Sequence, residues 1–83
     1  MMKVKKASNT DWASLTTNLL KAELKKRDLT YKDLSDRLGE CGISIGEPAI
    51  RSQMNRKAFK AHFLIASLHV IGCKSIDLSH IET

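Results

Sequence analysis

The sequence predicts an all-α fold, a compact bundle of four to five helices. Two observations support this. Apolar residues recur at three- and four-residue spacing along most of the chain, and no segment alternates apolar and polar residues for long enough to make a useful strand. The chain has 83 residues and 42% of them are hydrophobic, which suffices for one helical core but not for two. We expect residues 1–9 to form a flexible basic arm and residues 10–83 a single helical domain.

The first helix is expected to begin at Asn9 or Thr10, either of which can act as its N-cap, and to end near Arg27. Basic residues close to its end suit the negative pole of the helix dipole. One apolar stripe should pack inward, and it comprises Trp12, Leu15, Leu19 and Ala22, with Leu20 and Leu24 beside it. The tryptophan is interpreted as a packing anchor rather than a stacking surface for a ligand.

The second helix is expected to begin after Thr30, which can cap it. Asp33 stands where a capping box needs an acceptor, although aspartate makes that box imperfect. Gly39 or Gly42 could end the helix by adopting the left-handed conformation. Its buried stripe should be Leu34 and Leu38.

A short apolar loop follows over residues 43–46, and it should tuck Ile43 or Ile45 into the core. The third helix should begin at Glu47 and Pro48, because proline is tolerated in a first turn and an acid favours the positive pole of the dipole. Its inward residues are Ile50 and Met54. Its outward residues are Arg51, Ser52, Gln53, Asn55 and Arg56.

After a joint at residues 57–60, a strongly apolar segment predicts a central fourth helix that ends at Gly72. We expect His62 and His69 in this helix to be partly buried structural residues. The apolar positions that define the helix are Phe59, Phe63, Ala66 and Val70. A short closing turn or helix is expected at Ile76, Leu78 and Ile81.

Positive charge is concentrated in two places. The net charge is +5. Residues 1–9 contribute three lysines, and residues 51–60 contribute four cations, namely Arg51, Arg56, Lys57 and Lys60. Phosphate contacts dominate nucleic-acid affinity, so positive charge on an N-terminal arm and on the candidate recognition helix lies where a DNA-binding protein would need it. The alternative is an ordinary solvated surface.

The stretch from Leu20 to Gly39, LKAELKKRDLTYKDLSDRLG, resembles the phage-repressor (Cro/C1-type, lambda-repressor-like) helix-turn-helix domains. It is similar above all to a set of small, uncharacterised bacterial domains with a Trp before LLKAELKKR and AIR opening the third helix. The resemblance covers roughly residues 12–78. It implies that the third helix, about residues 47–57, enters the DNA major groove, usually in a homodimer, and that the protein is not an enzyme.

The connection between the second and third helices departs from that family. Helix-turn-helix motifs use three or four residues there, and the segment between Leu38 and Ile50 is several residues longer. Either the second helix continues to about Cys41 or the turn is enlarged.

The outward residues of the third helix are candidate base-reading groups. Arginine can bind guanine bidentately, and asparagine or glutamine can bind adenine in the same way. Because adjacent helical residues differ by about 100°, we expect Ser52, Arg56 and Gln53 to share one surface and Arg51 and Asn55 another. The alternative is a plain polar helix face.

Candidate phosphate contacts lie at the start of the second helix, after the third helix and in the arm. They are Thr30, Tyr31, Lys32, Lys57, Lys5 and Lys6. For Thr30 and Tyr31 a structural role is the stronger interpretation: the threonine caps, and the tyrosine packs on the first helix. The alternative for the arm is a flexible tail without a role.

No acid–base pair, activated nucleophile or phosphate-cradling glycine loop is visible, so we expect no enzymatic activity and no cofactor. Cys41 and Cys73 are distant and form no C-x-x-C pair, and His69 with Cys73 gives only two possible zinc ligands, so no metal site is expected. No secretory leader is visible, which favours reduced thiols in the cytoplasm. The longest apolar stretch, residues 63–73, is too short to span a bilayer.

A second functional interpretation remains open. The chain could be a protein-interaction or adaptor module, antitoxin-like or a dimer scaffold, that uses a helix-turn-helix fold without specific DNA binding. The motive is the loop with Ile43 and Ile45, which would offer an apolar contact if those side chains are exposed.

Overall fold

The computed structural model of the chain describes residues 11–76 and residue 78. These residues form four α-helices and no strand, so the predicted all-α bundle is confirmed. The helices are α1 Trp12–Lys26, α2 Tyr31–Glu40, α3 Glu47–Arg56 and α4 Ala61–Val70. The predicted arm at residues 1–9 lies outside the described residues, as does most of the predicted closing segment, including Ile81.

The N-cap of α1 is Asp11, so the prediction of Asn9 or Thr10 was wrong by one or two residues. The carboxylate of Asp11 accepts hydrogen bonds from the backbone amide of Ser14 at 3.0 Å and from its hydroxyl at 2.7 Å. These bonds lower the pKa of Asp11. An ionised carboxylate satisfies a free amide and also faces the positive pole of the helix dipole, which makes it a good cap.

The buried face of α1 also differs from the predicted stripe. Thr17, Leu20 and Leu24 are buried, whereas Trp12 is 56% exposed and Ala22 is exposed. Trp12 is therefore not a core anchor. Thr17 can be buried because its hydroxyl donates a hydrogen bond of 2.8 Å to the carbonyl of Ala13, so no polar atom loses its partner.

The capping box at the start of α2 is confirmed. The Thr30 hydroxyl accepts from the amide of Asp33 at 3.1 Å, and the Asp33 carboxylate accepts from the amide of Thr30 at 2.9 Å. Leu34 and Leu38 follow on the predicted inward face, and both are fully buried. The helix continues through Glu40.

All four helices end with the same 6→1 backbone hydrogen bond, in which an amide beyond the helix reaches a carbonyl in its last turn. The bonds are Leu29 to Leu24, Ile43 to Leu38, Ala58 to Gln53 and Cys73 to Leu68, at 2.9–3.2 Å. The residue before each donor has a positive φ: Asp28, Gly42, Lys57 and Gly72. Glycine adopts this conformation without strain, which explains why α2 passes through Gly39 and ends at Glu40, just before the left-handed Gly42.

The core lies where α2 packs against both α3 and α4, and where α4 contacts α1. The guanidinium of Arg37 on α2 donates a hydrogen bond of 3.1 Å to the carbonyl of Val70 at the end of α4. The buried apolar side chains are Leu20, Leu24, Leu34, Leu38, Ile50, Met54, Phe63, Leu68 and Ile71.

One face of α4 is open to solvent. Ile65 is 62% exposed, and His62 and His69 are exposed as well. The expectation of partly buried histidines was therefore wrong. An almost uniformly apolar helix does not indicate which of its sides faces the other helices, and here α1 and α2 cover only the side that carries Phe63, Ser67 and Leu68.

The connection between α2 and α3 occupies residues 41–46, so α2 is extended and the turn is enlarged as well. The side chains of Ile43 and Ile45 are half-buried against the core. The Ser35 hydroxyl on α2 donates a hydrogen bond of 2.6 Å to the carbonyl of Ile45. The enlarged turn is thus fixed to α2 at both of its ends.

Candidate nucleic-acid interface

The orientation of α3 is set by two buried side chains. Ile50 and Met54 are at most 1% exposed, as predicted from their spacing. Gly46 precedes the helix as its N-cap, and Pro48 occupies the first turn, where no intrahelical amide is lost. With one side anchored in this way, the opposite side of α3 faces solvent.

Four of the five predicted base-reading residues line one concave surface of about 550 Å³, together with Glu47 and Pro48; they are Arg51, Ser52, Asn55 and Arg56. The predicted division into two surfaces was wrong, because these four positions span only about 140° of the helix circumference. Gln53 is half-buried and lines a different cavity. We call the four-residue surface the α3 face.

Arg51 is held in place at one edge of the α3 face. It forms an ion pair with Glu47 one turn earlier. Its guanidinium carbon also lies 5.4 Å from the centre of the Tyr31 ring, within cation–π range. Tyr31 itself is half-buried and packs against the core. These two contacts direct Arg51 toward the start of α2.

A second concave surface, of about 520 Å³, continues from Arg51 and Glu47 across the start of α2 to the second half of α1. Its cations from α1 are Lys21 and Lys25, both exposed. Neither lysine was among the site residues predicted from the sequence. Their i, i+4 spacing was a visible signal, but their position beside α3 depends on tertiary packing.

The start of α2 is a poorer phosphate site than its position suggests. The amide of Thr30 already donates to Asp33, and the bonds from Thr30 lower the pKa of Asp33, so a carboxylate occupies the positive pole of the helix. Lys32 is exposed and forms an ion pair with Asp36 at 3.4 Å. Thr30 thus serves as a cap, and Lys32 remains available at the surface.

Lys57 lies away from the concave surface that joins α1 to α3. It has a left-handed conformation with φ 55° and lines a separate cavity with Trp12 and Phe59. Its charge contributes to the lowered pKa of Asp11. Lys5 and Lys6, the predicted contacts of the arm, lie outside the described residues.

No group of three or more His, Cys, Asp or Glu side chains is arranged to hold a metal ion within residues 11–76. The thiols of Cys41 and Cys73 are free, the first exposed and the second half-buried. None of the helices in the described part of the chain combines the length and the apolar character needed to cross a membrane.

Comparisons with curated proteins and with solved structures give no significant match. One family model does match, over residues 12–76, which includes all four helices and the α3 face. Its description is "Domain of unknown function (DUF6471)". Because the match extends over most of the sequence, the chain belongs to this family.

Proposed function

We propose that the chain is a small DNA-binding protein, a transcriptional regulator that inserts α3 into the major groove. The observation that carries the proposal is the α3 face. It combines two arginines with Ser52 and Asn55 on one exposed side of a helix whose other side is anchored in the core. These are side chains suited to base edges and phosphates.

The proposed roles follow from how each side chain is held. Asn55 and Arg56 are exposed, and no ion pair involves them within the described part of the chain, so they are assigned to base edges along with Ser52. Arg51 is directed toward α2 and is assigned to a phosphate. Lys21 and Lys25 continue this line of charge onto α1 and are assigned to the DNA backbone.

We further propose that the protein acts as a homodimer in the cytoplasm. One module of this size contacts too few base pairs for strong specificity, so two half-sites related by a twofold axis are expected. No metal or cofactor enters the proposed function, and no catalytic activity is assigned.

The test is a fluorescence anisotropy titration of the full chain with fragmented genomic DNA at several salt concentrations. Arg56→Ala should weaken binding to the preferred fragments, and Lys21→Ala should weaken binding to all fragments and reduce the salt slope by about 1. Lys74→Ala, an exposed lysine outside these surfaces, is the matched control. Binding that stays weak and non-specific at physiological salt, with no loss for Arg51→Ala or Arg56→Ala, would refute the proposal.

A protein-interaction module is the second candidate function. The specific observation in its favour is the half-buried position of Ile43 and Ile45, which leaves part of each side chain at the surface. The two functions are compatible in one domain, because the cavity beside the enlarged turn and the α3 face share only Arg56 among their lining residues.

A further inference from the structure

A cavity of about 490 Å³ lies between the enlarged turn, the end of α3 and the start of α4. We call it the turn cavity. Its apolar lining comes from Ile43, Ile45, Phe59 and Phe63. The two phenylalanine rings lie 5.5 Å apart between their centroids and are tilted by 55°, a favourable packing geometry for aromatic side chains. The base of the cavity is therefore apolar and includes two packed aromatic rings.

The polar residues around the turn cavity are basic or neutral. Arg56, Lys60 and His62 line it, and all three are exposed. No carboxylate lines the cavity within the described part of the chain. An apolar centre with a polar rim is the usual anatomy of a protein-binding site, and the charge of this rim complements an acidic partner.

The backbone of the turn offers a second means of recognition. Residues 43–46 have no regular secondary structure, and Gly46 is extended with φ −85° and ψ 164°. The amides of Ser44 and Ile45 donate no backbone hydrogen bond to another described residue. An extended peptide can pair with such groups along an exposed edge, while its side chains enter an adjacent pocket.

We infer that the turn cavity is the docking site for a segment of a partner protein that carries a large apolar side chain flanked by Asp or Glu. The apolar anchor fills the space above the phenylalanines, and the flanking carboxylates lie against Lys60 and Arg56. The cavity shares only Arg56 with the α3 face, and Ser44, Phe59 and Lys60 lie outside that face, so peptide docking can be tested separately from DNA binding.

The test begins with selection from a random peptide display library against the full chain. The peptides enriched should combine Asp or Glu with Leu, Ile or Phe. A labelled copy of one enriched peptide is then titrated by anisotropy against two variants. Ser44→Trp fills the cavity from an exposed position, and Lys60→Glu reverses the charge of the rim. Ser44→Trp should weaken peptide binding about tenfold or more, as the loss of a central contact does. Lys60→Glu should weaken it about threefold or more, because an exposed rim contact changes from attraction to repulsion.

Two controls separate docking from misfolding. Lys74→Glu makes the same charge change elsewhere on the surface and should leave peptide binding within about twofold. Lys60 is the N-cap of α4, where a carboxylate favours the helix, so Lys60→Glu should keep the thermal unfolding midpoint. The inference is overturned if enriched peptides are basic or lack apolar residues, if the Ser44→Trp protein selects the same peptides, or if single-stranded DNA occupies the cavity instead.

Discussion

Glu47→Gln should strengthen DNA binding if the α3 face meets phosphates as proposed. The Glu47 side chain is 38% exposed and forms an ion pair with Arg51, whose side chain is 54% exposed. A carboxylate at this edge neutralises one of the cations assigned to the DNA backbone and repels the phosphates directly. Removing its charge releases Arg51 while leaving the Tyr31 ring beneath the guanidinium.

The expected gain follows from the exposure of the pair. Breaking a surface ion pair costs about 0.5–1 kcal/mol, and recovering that energy on DNA corresponds to roughly a two- to fivefold lower Kd at low salt. One additional phosphate contact steepens the slope of log K against log salt by about 0.9, so the advantage should shrink about 3.5-fold between about 50 and about 200 mM salt. Anisotropy titrations over this range measure both quantities.

Two further variants decide whether the gain comes from Arg51. Glu40→Gln makes the same charge change at an exposed residue outside the α3 face and should have a smaller effect with an unchanged salt slope. The double variant Glu47→Gln/Arg51→Ala should lose the gain. If Glu47→Gln binds no tighter than the parent at low salt, or if Glu40→Gln produces an equal gain, the role assigned to Arg51 is wrong.

Three predictions concern the fold. Thr30→Ala removes one half of the capping box and should lower the free energy of unfolding by about 1 kcal/mol in urea titrations. Leu34→Ala removes most of a fully buried side chain and should lower the free energy of unfolding by about 2–5 kcal/mol. Trp12→Ala, at an exposed position, should lower it by less than about 1 kcal/mol. Equal losses of unfolding free energy would contradict the core described above. Hydrogen bonding to Thr30, above all to its backbone amide, lowers the pKa of the Asp33 carboxyl group in the folded protein. The stability that the ionised Asp33 contributes is therefore complete above the unfolded-state pKa of about 3.9. This stability is lost as the pH falls through the lower pKa of the folded state. Asp33→Asn should therefore flatten the acid side of the stability profile.

Local signals in the sequence identified most of the helical framework. Thr30 and Asp33 predicted the capping box, Pro48 predicted the start of α3, and the spacing of Ile50 and Met54 predicted its buried side. In each case the residues that make the pattern lie within four positions of one another. The start, the cap and the inward side of these helices can therefore be predicted from a short segment of sequence.

Predictions that depended on distant partners were less successful. On α1, two sets of positions at helical spacing were available, and the choice between the Trp12 set and the Thr17 set depends on where α4 lies. A buried Thr17 needs a partner for its hydroxyl, and its own helix supplies that partner. Lys21 and Lys25 join the candidate interface only through tertiary packing, which brings α1 beside the start of α2 and of α3.

The length of the enlarged turn does not prevent α2 and α3 from holding a fixed arrangement. The extra residues do not loosen α3, because Ser35 holds the carbonyl of Ile45 and the amide of Ile43 bonds to Leu38. Ile50 and Met54 then fix the rotation of α3. The inserted backbone instead adds one wall to the turn cavity, beside the end of α3 that carries Arg56. A partner bound there would sit next to the α3 face, so peptide docking and DNA binding should influence each other through that arginine.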